Sequence, residues 1–190
     1  MKKIISFCLV GLFFLSAAAC DKKQEDNSIY SKGVIKSNVY SSKYFNIKYT
    51  APDEYELISW DAYQGAKSIL IEDEKGLTGE AVCYASGKND TYAHFDICSL
   101  NMSELLITTE EQYFPGIKYK LEASGFAVSY GESREIAGES FKSLKALKDG
   151  DISEYYYRTQ GGQIIYILFY YGENDTASRD MLLSGFEKLK

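Results

Sequence analysis

The chain has 190 residues, of which 45% are apolar and 25% charged, and its formal net charge is −6. This length predicts one domain, and the composition is that of a globular protein, which excludes a disordered or collagen-like chain. The acidic balance makes nucleic acid an unsuitable partner, because a polyanion is repelled by a negatively charged domain.

The first twenty residues have the three-part layout of a secretory signal. Lys2 and Lys3 precede an apolar stretch at 4–15, and small residues at 16–19 lead to Cys20. The apolar stretch is too short to span a bilayer comfortably, which favours a cleaved signal over a membrane-spanning helix.

The border "LSAAAC" at Cys20 resembles the lipobox of bacterial lipoproteins. In that family the signal is cleaved before the cysteine, whose sulfur carries a diacylglyceryl group. Two acyl chains give firm anchoring, at about 0.8 kcal/mol per buried CH₂. We therefore expect residues 1–19 to be removed and Cys20 to hold the protein on the extracytoplasmic face of the cell membrane. The alternative is an ordinary cleaved signal with an incidental cysteine.

Residues 20–42 are predicted to be the lipidated cysteine and a flexible linker, because they are polar, rich in Ser and Lys, and without a sustained period. A domain at 43–190 follows. It begins with the alternating segment "YFNIKYT", a predicted half-buried strand, and a helix is predicted over 60–70.

The middle of the chain predicts a hairpin and a broken helix. "EAVCYASG" and "TYAHFDICSL" flank the turn-like "GKND" and are typical of paired strands. Residues 103–124 predict a helix in two pieces, interrupted at Pro115 and Gly116 because proline removes an internal hydrogen bond. Gly125 is a plausible helix end.

The last third predicts a three-strand meander followed by a helix. Two-residue turns at Asp149-Gly150 and Gly161-Gly162 join the strands. They place Lys145 opposite Glu154, Leu144 opposite Tyr155, and Tyr157 opposite Tyr166. The terminal helix is predicted to be capped by Asn174 or Asp175 and to present Met181, Leu182, Phe186 and Leu189.

Both faces of the meander are apolar, which predicts a sheet covered on both sides. One face collects Leu144, Ala146, Tyr155, Tyr157, Tyr166 and Leu168. The other collects Leu147, Ile152, Ile165, Ile167 and Phe169.

The order of these parts resembles the PsbP-like fold over about residues 43–189. The matching segments are "YFNIKYTAPDEYELIS", "ESREIAGESFKSLKA", "YYYRTQGGQIIYILFYY" and "LLSGFEKL". The resemblance implies an α/β (α+β) fold in which an antiparallel sheet is sandwiched between helices. It also implies a role in binding or assembly, although a shared fold does not transfer a function.

Cys83 and Cys98 are candidates for a disulfide, which is expected outside the cytoplasm. A four-residue turn at 87–90 would place Cys83 opposite His94, so the disulfide needs a longer or shifted turn. The alternative is that both cysteines are small buried apolar residues.

The residues give little support to catalysis. His94 is the sole histidine, and only Asp96 and the two cysteines accompany it as possible metal ligands. No G-x-S-x-G motif presents a serine nucleophile. We expect no catalytic residue, no metal and no cofactor. The tyrosines of 155–157 with Tyr166, Tyr170 and Tyr171 are interpreted as packing residues, and any that stay uncovered would form a contact patch.

These observations predict a lipid-anchored lipoprotein that binds or helps to assemble another envelope component without catalysis. The first alternative is a small-molecule or lipid binding protein associated with a transporter. The second is a hydrolase, which would have to use His94.

Overall fold

The computed structural model describes residues 29–63, 75–85 and 93–190. The strands in this part are β1 (Val34–Lys36), β2 (Val39–Ser42), β3 (Ile47–Thr50), β4 (Tyr55–Ser59), β5 (Leu77–Ala85), β6 (His94–Asn101), β7 (Ala127–Ile136), β8 (Glu139–Lys148), β9 (Asp151–Gln160), β10 (Gln163–Gly172) and β11 (Phe186–Lys188). The helices are α1 (Phe114–Ala123) and α2 (Thr176–Ser184), with 3₁₀ turns at Trp60–Ala62 and Glu110–Gln112. No helix among these residues is long and apolar enough to cross a membrane.

The strands form two antiparallel sheets. The large sheet has the order β4-β5-β6-β10-β9-β8-β7, and the small sheet has the order β1-β2-β3-β11. The predicted β5–β6 hairpin is therefore present, and its connecting residues 86–92 lie outside the described residues.

The C-terminal meander has the predicted register. Lys145 pairs with Glu154 and Leu144 with Tyr155, and on the next strand Tyr157 pairs with Tyr166. The turn residues Asp149-Gly150 and Gly161-Gly162 all have positive φ, as type I′ turns require. Two glycine-containing turns thus fix the pairing of three ten-residue strands.

The large sheet is covered on both faces, as predicted. One core cluster, which we call the α1 cluster, contains Leu144, Tyr155, Tyr157 and Tyr166 together with Phe114, Ile117 and Leu121 of α1. The opposite cluster, which we call the small-sheet cluster, contains Ile152, Ile165, Ile167 and Phe169 together with Leu182 and Leu183 of α2 and the buried residues of β2 and β3. The α/β (α+β) fold class is confirmed, with the small sheet sharing one layer with α2.

The predicted linker 20–42 is corrected at its C-terminal end. Residues 34–36 and 39–42 are the first two strands of the small sheet, and Tyr40 is completely buried. Ser37 and Asn38 both have positive φ and form the tight turn between them. The domain therefore begins earlier than residue 43. The sequence did not show this, because strands of three and four residues are too short to give a clear periodic pattern.

The break predicted at Pro115 and Gly116 is also corrected. Both residues lie in the first turn of α1, where the missing N–H of proline costs no hydrogen bond. Gly125 ends the helix as predicted: its φ is +86°, its N–H donates to Glu122, and the N–H of Phe126 donates to Leu121. These two bonds form a Schellman motif.

The C-terminal segment is a shorter helix followed by a strand. α2 is preceded by Asp175 and ends at Ser184, and Phe186 begins β11, which pairs with β3. Leu182 and Phe186 are buried as predicted, but Met181 is exposed. Of the helix predicted over 60–70, Trp60–Ala62 forms a 3₁₀ turn and 64–70 lie outside the described residues.

Candidate functional site

A buried carboxylate marks the start of the candidate site. In β5, Gly79 pairs with Cys98 and Ala81 pairs with Ile97, so Glu80 is the extra residue of a β-bulge. The bulge turns Glu80 toward the small-sheet cluster, to which Ala81 also belongs. Glu80 is only 2% exposed.

The Glu80 carboxylate binds the N-terminal segment that contains Tyr30 and Gly33. It accepts hydrogen bonds from the Tyr30 hydroxyl at 3.1 Å, from the Gly33 N–H at 2.9 Å, and from the Tyr40 hydroxyl. Ser99 donates to the Tyr30 hydroxyl at 2.8 Å. A buried carboxylate needs such donors, because an unbonded charge in the interior is very costly. We call these five residues the Glu80 cluster.

The phenols of the Glu80 cluster stay protonated at ordinary pH. Burial, and then the Glu80 charge, raise the pKa of Tyr30 to about 12 against the opposing effect of the Ser99 hydrogen bond. The same two causes raise the pKa of Tyr40 well above its ordinary value. Both hydroxyls therefore remain donors to the carboxylate.

A cleft of about 310 Å³ lies beside the cluster, and we call it the Tyr30 cleft. It is formed where β5 and β10 begin and β6 ends, and the backbone N–H of Asn101 donates to Gly76 at its edge. The lining residues are Tyr30, Gly76, Leu77, Thr78, Asn101, Glu104 and Gln163. These side chains offer hydroxyl, amide and carboxylate groups, which suit hydrogen bonding to a polar group of a ligand or partner.

The loop after β6 borders the Tyr30 cleft and carries an exposed leucine. The N–H of Ile107 donates to Met102 at 3.1 Å, which closes the loop. Leu105 and Ile107 pack against the α1 cluster, whereas Leu106 between them is 91% exposed and has a φ of +58°. Ile29, which precedes Tyr30 of the cleft lining, is 73% exposed.

The candidate disulfide is corrected. Cys83 and Cys98 are both free thiols, and both are buried. Cys83 pairs with Phe95 and lies in the small-sheet cluster, whereas Cys98 lies in the α1 cluster on the opposite face of the sheet. Desolvation raises the pKa of Cys83 to about 12 and that of Cys98 well above its ordinary value.

His94 packs rather than forming a metal site within the described residues. Its ring stacks on Tyr170 at a centroid distance of 4.7 Å, and the two residues are register partners. No group of three His, Cys, Asp or Glu residues in ranges 29–63, 75–85 and 93–190 could hold a metal ion.

The tyrosines of the meander are mainly core residues, which agrees with the packing interpretation. Tyr155, Tyr157 and Tyr166 belong to the α1 cluster, and Tyr156 and Tyr171 belong to the small-sheet cluster. The Phe114 ring stacks on Tyr157 at 3.5 Å. These aromatics therefore hold the two layers on the sheet.

A second buried charge fixes α2. The Arg179 guanidinium lies 2.6 Å from the Glu154 carboxylate, and the Tyr171 hydroxyl donates to the same oxygen at 2.6 Å. Arg179 also donates to the Tyr156 hydroxyl at 3.1 Å. This group joins α2 to β9 and β10.

Neither Glu80 nor the Tyr30 cleft is predicted by the sequence patterns described above. The available signal was the pair Gly79-Glu80 inside an apolar strand, since an internal glycine often marks a bulge. Cys20 and the predicted signal lie outside the described residues.

Comparison with known proteins gives structural similarity only. No family model matches the chain, and no curated protein matches it. It is similar to the solution structure of cyanobacterial PsbP (CyanoP) from Synechocystis sp. PCC 6803, with a TM-score of 0.47 and 16% identity, over 84% of this chain and 97% of that chain. It is also similar to the crystal structure of LpqN of Mycobacterium tuberculosis, which is involved in cell envelope biogenesis, with a TM-score of 0.43 and 13% identity, over 76% of this chain and 83% of that chain.

Proposed function

We propose that this chain is a lipoprotein, held by acyl chains on Cys20 at the extracytoplasmic face of the cell membrane. Its single α/β domain binds or helps to assemble another envelope component and does so without catalysis. The partners are therefore the membrane, through Cys20, and an envelope protein that meets the Tyr30 cleft.

The observation that carries this proposal is the attachment of the N-terminal segment by Glu80. Because Tyr30 and Gly33 are bound to the buried carboxylate, the chain is attached to the domain from Tyr30 onward. Nine residues separate Cys20 from Tyr30. Such a segment reaches at most about 35 Å even when fully extended. A domain on so short a tether is confined to the surface of the membrane, which suits a module that works on membrane-bound partners.

The Tyr30 cleft supports a binding role. The cleft opens at the end of the large sheet to which the N-terminal segment is attached. Because the tether from Cys20 joins the domain at this end, the cleft lies within reach of other membrane proteins. Its hydroxyl, amide and carboxylate groups can pair with polar groups of a partner protein.

The volume of the cleft favours a second candidate function. About 310 Å³ lies at the lower end of the range for small-ligand sites, roughly 300–1,000 Å³. The chain would then bind a small polar molecule and deliver it to a transporter. A ligand of that kind should raise the temperature of unfolding by mass action.

Site-specific photo-crosslinking in intact cells tests the binding role. A photoreactive amino acid replaces Glu104 in the cleft, and the matched control carries it at Tyr119, an exposed residue of α1. We expect the Glu104 position to capture one reproducible envelope protein that the Tyr119 position does not. Equal capture at both positions, or none at either, would contradict binding of a protein at the cleft.

A further inference from the structure

The exposed loop leucine indicates a direct contact with lipid. Resting on the lipoprotein function proposed above, we propose that the Tyr30 end of the domain lies on the bilayer and that Leu106 inserts its side chain into it. The occupant of this apolar surface is then the membrane itself, with the acyl chains on Cys20 as one attachment and Leu106 as a second.

Leu106 is an unusual residue for its position. Its φ of +58° lies in the left-handed region, which Gly and Asn adopt readily and a leucine does not. Burial in the domain does not offset this backbone strain, because the Leu106 side chain is 91% exposed. A strained and exposed apolar residue suggests a contact outside the domain.

The loop holds this side chain outward. Leu105 and Ile107 on either side pack against the α1 cluster, and Met102 at the base of the loop is buried. The N–H of Leu106 donates to Ser103 at 3.3 Å, and that of Ile107 donates to Met102 at 3.1 Å. Because its half-buried neighbours both pack against the domain, the Leu106 side chain points away from it into solvent.

The tether places this end of the domain toward the membrane. β9 and β10 have ten residues each, so the sheet is about 33 Å long in the strand direction. If the Tyr30 end pointed away from the bilayer, the segment after Cys20 would have to run nearly fully extended along the whole sheet, because its limit is about 35 Å. Chain entropy opposes that arrangement. The Tyr30 end, with the Leu106 loop beside the cleft, is therefore the end nearest the lipid.

The charges near this end are compatible with an apolar contact. Lys142 pairs with Glu110 at 3.0 Å and also with Glu111, and Lys32 pairs with Asp61 at 3.3 Å. Glu104, two residues before Leu106, adds an exposed carboxylate at this end. Because both signs of charge are present, we expect the contact to depend on apolar insertion and little on anionic lipid. Ile29, which is 73% exposed and precedes Tyr30, adds apolar area on the side of the tether.

A fluorescent label on residue 106 tests this contact in the full lipidated protein. Leu106→Cys is labelled with bimane, and the matched control is Tyr119→Cys on the exposed surface of α1. Cys83 and Cys98 are buried, so the introduced thiol is the one that reacts in the folded protein. Each protein is placed on vesicles of phosphatidylethanolamine and phosphatidylglycerol that contain nitroxide-labelled phosphatidylcholine.

We expect the label in Leu106→Cys to shift its emission to the blue and to be quenched by the nitroxide lipid, while the label in Tyr119→Cys changes in neither respect. If the protein floats with the vesicles but both labels stay in water, the lipid contact is overturned and the anchor is not. If the protein does not float at all, the lipoprotein function fails and this inference fails with it. A label in Leu106→Cys that is shielded only in native membranes, and not on vesicles, would identify a protein occupant and overturn the contact with lipid.

Discussion

The carboxylate of Glu80 accepts a hydrogen bond from the backbone N–H of Gly33 at 2.9 Å, although 47 positions separate the two residues in the chain. The same carboxylate accepts hydrogen bonds from Tyr30 and Tyr40. One bulged residue of the large sheet thus binds the N-terminal segment in three places. In the lipoprotein proposed above, this attachment would limit the length of the tether from Cys20 and so keep the domain near the membrane surface.

Replacing Glu80 should release the N-terminal segment. Glu80→Gln keeps the size of the side chain but turns one acceptor oxygen into a donor that faces other donors. We expect the free energy of unfolding to fall by about 2–3 kcal/mol, the usual cost of a buried polar group left without its partner. Chemical denaturation measures the loss, and hydrogen exchange at residues 33–42 should become faster.

Glu56→Gln is the matched control for this change. Glu56 accepts a hydrogen bond from Tyr84 at 2.9 Å, but it does so at the surface. We expect this variant to change the free energy of unfolding by less than about 0.5 kcal/mol. Equal effects of the two substitutions would mean that Glu80 does not hold the segment.

Removing Arg179 should lower the free energy of unfolding far more than removing one partner of an exposed ion pair. Arg179→Met leaves the Glu154 carboxylate, which is only 11% exposed, without its cation. We expect a loss of about 3 kcal/mol in the free energy of unfolding. Arg134→Met, which removes an exposed pair with Asp180, should cost less than about 1 kcal/mol. Comparable losses in urea denaturation would contradict the buried role of Arg179.

The two domain cysteines should be unreactive thiols. Burial raises the pKa of Cys83 to about 12, so almost no thiolate is present at mildly alkaline pH, and burial also raises the pKa of Cys98 well above its ordinary value. Iodoacetamide should modify neither residue in the folded domain and both residues in guanidinium without a reductant. Modification that requires a reductant would reveal a disulfide between them.

The folded domain should lose stability in strong base. The pKa of Tyr30 and that of Tyr157 are both raised by burial to about 12, above the ordinary value of 10.0. A raised pKa of a phenol means that its stabilising effect is complete below about pH 10 and is lost as the pH rises toward 12, because the unfolded chain releases the proton first. Urea titrations across this range should show a falling free energy of unfolding. Phenolate absorbance that develops fully near pH 10 in the folded protein would oppose this expectation.

Relieving the strain at Leu106 should stabilise the domain. Leu106→Gly places at φ +58° the residue that adopts it most easily, and no buried contact is lost. We expect the free energy of unfolding to rise by about 0.5 kcal/mol after the greater entropy of the unfolded chain is counted. Leu105→Gly, at a neighbouring position that packs against the α1 cluster, should instead lower it. A loss of stability in Leu106→Gly would show that the leucine serves the fold.

The sequence predicted best where local chemistry decides the structure. The turn pairs Asp149-Gly150 and Gly161-Gly162 leave one favourable hairpin geometry, so the register of the meander and the division of its residues between two faces followed directly. Periodicity over ten-residue strands is long enough to be recognised.

Prediction from the sequence failed where contacts with distant parts of the chain determine the structure. β1 and β2 are short, and their place in the fold depends on Glu80 in another sheet, which no local pattern shows.

The disulfide predicted between Cys83 and Cys98 was wrong for a related reason. The register pairs Cys83 with Phe95, so Cys98, an odd number of positions further on, lies on the other face. That register depends on the connection between β5 and β6, whose geometry cannot be predicted from its sequence. The Tyr30 cleft combines both difficulties, since its lining comes from four separate parts of the chain.

Mass spectrometry of the mature N-terminus, on protein purified from native membranes, tests the central claim most directly. The account predicts that the first residue is Cys20 and that its sulfur carries a diacylglyceryl group. A mature chain that begins elsewhere, or an unmodified Cys20, would contradict it.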